Sequence, residues 1–101
     1  MSHIPMLILG LFCSILGVLN IKGNVSSIHW YNRRKVTEED IPKYGRAVGC
    51  GTLIMGISFI ATAILQMIFK SESLYYIVAF GIVIGLAFIL YGQFKYNRGI
   101  F

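Results

Sequence analysis

The chain has 101 residues, of which 56% are hydrophobic and only 13% charged, and its mean hydropathy is +0.73. A water-soluble domain carries about a quarter charged residues, so this composition excludes a soluble globular protein, and the length allows one domain at most. The formal net charge is +5, yet the basic residues flank apolar runs. That placement argues against nucleic acid as a partner and for anionic lipid headgroups and control of topology.

Ile4 to Ile21 is an uncharged apolar run of the length that crosses a bilayer core. Met1-Ser2-His3 lacks the basic start of a signal peptide, and no small-residue cleavage site follows, so the run reads as a retained span. Pro5 suits the first turn of a helix, where its missing N–H costs nothing. Gly10, Ser14 and Gly17 share one face at helical spacing, a small-residue stripe that admits a close helix neighbour.

The stretch from Lys22 to Arg46 is the one long polar segment. Lys22-Gly23-Asn24 predicts the end of the first helix. His29, Trp30 and Tyr31 suit the headgroup zone, where one end of an aromatic ring is dry and the other wet. Arg33, Arg34 and Lys35 follow, and then the acidic step Glu38-Glu39-Asp40. Pro42 restricts the next helix start, because a proline past the first turn deletes a backbone bond. Asp40 as N-cap keeps Pro42 within that first turn. The helix is then expected to run unbroken from Ile41 into a second span at about 47–69.

On this second helix Gly45, Gly49, Thr52, Gly56 and Ala63 share a face, while Ser58 and Thr62 lie opposite with Gln66 between. Hydroxyls inside a span can bond their own backbone, so they require no ligand. Lys70-Ser71-Glu72-Ser73 reads as a tight polar turn, and a third span follows at about 74–94. Gly81-x-x-x-Gly85, continued by Gly92, forms a third stripe. Three spans place the 22–46 loop and the tail on one side. Lys22, Arg33, Arg34, Lys35, Lys43 and Arg46, with Lys95 and Arg98, are therefore all opposite Lys70. The positive-inside rule then predicts an outside N-terminus and a cytoplasmic loop and C-terminus.

Chemistry-bearing groupings are scarce. No Asp, Glu, Lys, Arg or His lies inside the three apolar cores, which argues against a self-contained ion-coupled transporter. His3 and His29 fall on opposite sides of the membrane and lack partners at ligand spacing, so no metal site is expected. No catalytic triad or phosphate-cradling loop can be assembled, which predicts neither an enzyme nor a cofactor. Cys13 and Cys50 both lie in apolar runs and read as small buried hydrophobes rather than a disulfide. The basic loop has two readings. One is topology with headgroup contact; the other is a two-signed docking patch formed by Arg33, Arg34 and Lys35 beside Glu38, Glu39 and Asp40.

The segment from Gly23 to Gly56 resembles the small bacterial membrane proteins of domain-of-unknown-function family 3784. The resemblance rests on Gly23-Asn24, on His29-Trp30-Tyr31-Asn32 with Arg33-Arg34-Lys35, on Val36 to Asp40, and on Gly45-Arg46 through Gly49 and Gly56. It implies a bacterial cytoplasmic-membrane protein and brings no catalytic residues with it.

The sequence thus predicts an all-α integral membrane protein, one domain over residues 1–101, with three transmembrane helices and a cytoplasmic interfacial loop between the first two. The function it points to is a non-enzymatic accessory or self-associating subunit. That reading expects either a homo-oligomer or a membrane-protein partner. A channel or transport subunit assembled from several copies, lined by Ser58, Thr62 and Gln66, is the alternative. Immunity against a membrane-active toxin is a further one.

Overall fold

The computed structural model describes residues 3–24 and 35–98, and these residues are almost entirely helical. Helix α1 spans Ile4–Ile21, α2 spans Ile41–Phe69, and α3 spans Tyr75–Tyr96 after a short 3-10 turn at Glu72–Leu74. All three are long and apolar enough to cross a membrane.

Helix α1 carries Pro in its first turn and stops in a Schellman motif. The Gly23 N–H donates to Asn20 O (3.0 Å) and the Asn24 N–H to Leu19 O (2.9 Å). Gly23 has φ +101°, a conformation that only glycine enters without a Cβ penalty. The Asn20 side chain reinforces this stop by donating to Asn24 O at 2.8 Å.

Helix α2 starts where the proline argument places it, with Asp40 at the N-cap and Pro42 in the first turn. The Asp40 side chain makes no capping bond. Instead a backbone turn leads into the helix, with the Asp40 and Ile41 N–H groups donating to Thr37 O at 3.0 and 3.1 Å. Helix α2 then runs unbroken to Phe69. Lys70 closes it in the left-handed region at φ 52°, and the buried Gln66 amide donates to Ser71 O at 2.6 Å. The turn is therefore pinned from inside the helix.

Helix α2 is the middle element. Helices α1 and α3 each pack along its length, antiparallel to it, and make no comparable contact with each other. Without a water-driven force to bring helices together in lipid, such packing depends on close van der Waals approach, which small residues permit. The large side chains point outward accordingly. Ile8, Phe12 and Ile15 on α1, Ile68 on α2, and Phe80, Val83 and Phe94 on α3 are all exposed. They form a surface suited to acyl chains.

Candidate functional site

The glycines on α1 meet those on α2 in two reciprocal pairs. A Cβ on Gly10 would lie 2.8 Å from Gly56 O, and one on Gly56 would lie 2.8 Å from Gly10 O. A Cβ on Gly17 would lie 2.8 Å from Gly49 O, and one on Gly49 only 2.6 Å from Gly17 O. The members of each pair recur after two helical turns, as knobs and holes do in gently crossing helices. Ser14 sits between them, with its Oγ against Gly56. Gly45 is also buried on α2.

The α3 glycines lie against α2 as well. Gly81 faces Ser58, Gly85 faces Gly51 and Met55, and Gly92 faces Ala47 and Val48. Gly51 is absent from the sequence reading of the stripes. It lies two residues from Gly49, about 200° around the helix, so it occupies the opposite side of α2. The available signal was topological: a middle helix flanked by two neighbours needs two small faces. All the named stripes are thus occupied by contacts within one chain.

At the loop end a polar clamp joins three segments. The Tyr44 hydroxyl donates to Gln93 Oε1. The Lys35 N–H donates to Asn97 Oδ1 at 2.8 Å. Tyr44 and Asn97 are completely buried, and Val36, Ile41, Ile89 and Tyr96 pack against Tyr44 and Val48. Burying an amide or phenol needs such partners, because a lost bond in an apolar setting is costly. The clamp fixes Lys35 to Asp40 on the end of α3. Lys35, Glu38 and Glu39 remain exposed, and Asp40 is half-buried. His29, Trp30, Tyr31, Arg33 and Arg34 lie outside the described residues. Sequence reasoning missed Gln93 and Asn97, although their four-residue spacing puts both on one face of the last turn.

The polar residues offered as a pore lining are placed differently. The Ser58 hydroxyl donates to Ile54 O at 2.8 Å and faces Gly81. Thr62 is 0% exposed and Gln66 is 3% exposed. Thr62 and Gln66 are therefore covered within a single chain, while Ser58 is half-buried. Thr52 donates to Val48 O at 3.0 Å, satisfied by its own helix. Among the described residues, Ser14 Oγ and Thr62 Oγ1 are buried without a hydrogen-bond partner. Cys13 and Cys50 are free thiols.

A groove of about 610 Å³ lies between α2 and α3 near the loop end. It is lined by Lys43, Arg46, Ala47, Cys50, Ala87, Phe88, Tyr91 and Tyr96. Lys95 stands at the same rim. Its Nζ donates to Tyr91 Oη at 2.9 Å and lies 5.3 and 5.7 Å from the ring centres of Tyr91 and Tyr96. The two rings meet edge to face at 6.3 Å. Ammonium groups over ring faces are attracted by the ring quadrupole, which holds Lys95 at this rim.

These elements define a class: a small multi-pass membrane protein built as a three-helix bundle. Compared with protein-family models, curated proteins and solved structures, the chain matches none of them.

Proposed function

We propose that the protein is a non-enzymatic accessory subunit of a bacterial cytoplasmic membrane, with its loop end as the contact surface for a membrane-protein partner. The observation that carries this reading is the division of labour along the bundle. The glycine faces, which would otherwise serve association, are occupied inside the chain, while Lys35, Glu38 and Glu39 stand exposed on a segment clamped to α3. A charged segment held in one geometry loses less entropy on docking than a free loop does. The bacterial setting rests on the resemblance of the 23–56 segment to family 3784. The Lys and Arg distribution supports a cytoplasmic loop and C-terminus.

The test is native mass spectrometry of the full-length protein extracted gently from its own membranes. A complex with one different membrane protein is the expected result, weakened by Glu38→Lys with Glu39→Lys. A homo-oligomer of defined size, untouched by those changes, would replace this reading with a self-associating scaffold.

A further inference from the structure

The α2–α3 groove has the layout of an amphiphile site, and three features set its ligand. Its floor is small and apolar: Ala47 and Cys50 on α2 are half-buried and Ala87 on α3 is exposed, with Phe88 and Tyr91 forming a wall. The trough exists because α2 and α3 approach closely at Gly51 and Gly85. Short side chains beside that seam then leave room that α1, on the other side of α2, does not fill. Lys43, Arg46 and Cys50 recur at helical spacing on one face of α2, so the groove extends about 10 Å along that helix, at 1.5 Å per residue.

The second feature is charge. Lys43 and Arg46 line the loop end of the groove and are exposed. Lys95 joins them from the last turn of α3, held by Tyr91 and Tyr96. Of the acids at this end, Asp40 at the start of α2 is half-buried, and Glu38 and Glu39 are exposed on the preceding turn. Lys43, Arg46 and Lys95 thus gather three cations at this rim.

The third feature is depth. The cations lie at the ends of two spanning helices, where headgroups sit, and the apolar floor runs from there toward the middle of the bundle. Lys and Arg near span ends meet lipid phosphates at this level. Arg is the residue suited to bidentate phosphate contact, while Lys acts as a point charge.

We infer that this groove is a binding site for one anionic phospholipid, with an acyl chain along Ala47, Cys50, Ala87 and Phe88 and the phosphate held by Lys43, Arg46 and Lys95. The site takes its lipid whether or not the bundle has a protein partner.

The test uses full-length protein with Phe88→Trp in a Trp30→Phe background, so that the only indole lies in the groove. The protein is reconstituted into mixed phosphatidylglycerol and phosphatidylcholine vesicles in which either lipid carries brominated, quenching chains. At equal mole fraction, brominated phosphatidylglycerol is expected to quench the groove indole at least twofold more strongly than brominated phosphatidylcholine. Lys43→Gln, Arg46→Gln and Lys95→Gln together should abolish that preference. A Leu90→Trp reporter at similar depth, on another face of α3, should show none. Equal quenching by the two lipids at position 88, or the same preference at position 90, would overturn the inference. So would an indole shielded from both lipids, which would assign the groove to a protein neighbour. Should the triple variant fail to fold, the comparison of positions 88 and 90 in the otherwise unchanged chain decides alone.

Discussion

At the scale of single residues, the same residue type has different consequences according to what stands opposite. A Cβ at Gly49 meets backbone on α1, 2.6 Å from Gly17 O and 2.8 Å from Ile21 N, and backbone can move only if the helix moves. A Cβ at Gly92 has more room, its nearest atoms being Ala47 Cβ and Val48 Cγ2 at 3.1 and 3.2 Å. Gly49→Ala should therefore destabilise the bundle by about 1–3 kcal/mol, the usual cost of overpacking, and Gly92→Ala by clearly less. Unfolding of each variant by a denaturing detergent measures the difference, and equal losses would contradict it. Thr62 gives the opposite sign. Its hydroxyl is buried without a partner, so replacing it by a methyl group removes an unsatisfied polar atom. Thr62→Val is expected to leave stability unchanged or raise it by about 1 kcal/mol. A loss of more than that would mean that the hydroxyl has a role in the folded protein.

At the scale of elements, the spans were legible because hydrophobic length and charge exclusion are strong signals. The stop at Gly23-Asn24 was legible too, since a Schellman turn demands a residue that enters positive φ. So was the start at Asp40, because Pro42 leaves few registers. Helix pairing was not. A stripe of small residues marks a face, but the spacing of Gly49 and Gly56 does not say whether α1, α3 or another chain covers it. Gly51 escaped notice for that reason, and the spacing of Thr62 and Gln66 did not show that both are buried within one chain. The clamp of Tyr44, Gln93 and Asn97 was hidden because its members come from the two ends of a long hairpin. Its lesson is that buried amides near a span end mark a contact between elements. Gly81→Leu with Gly85→Leu should separate α3 from α2 while leaving the chain inserted, because each leucine would occupy the space of Ser58 or Met55. Protease accessibility of the Lys70–Ser73 turn should then rise, while protection unchanged from the parent protein would contradict the packing of that seam.

At the scale of the whole molecule, one arrangement accounts for the glycines, the exposed large hydrophobics and the polar loop end together. Helix α2 is the axis, its two small faces are filled by α1 and α3 of the same chain, and the outer surface is left to lipid. The loop end carries the remaining chemistry: exposed acids on a fixed segment, and a cationic rim above an apolar groove. The most direct test of this arrangement is cysteine crosslinking in native membranes, with Cys13→Ala and Cys50→Ala as background. Ala47→Cys paired with Gly92→Cys reports the α2–α3 seam, where the two Cβ positions are 3.1 Å apart, close enough for a bridge after slight adjustment. The pair should oxidise to a product of monomer mass. Disulfide-linked dimers with no internal crosslink would put the α3 of a second chain in the place of the chain's own.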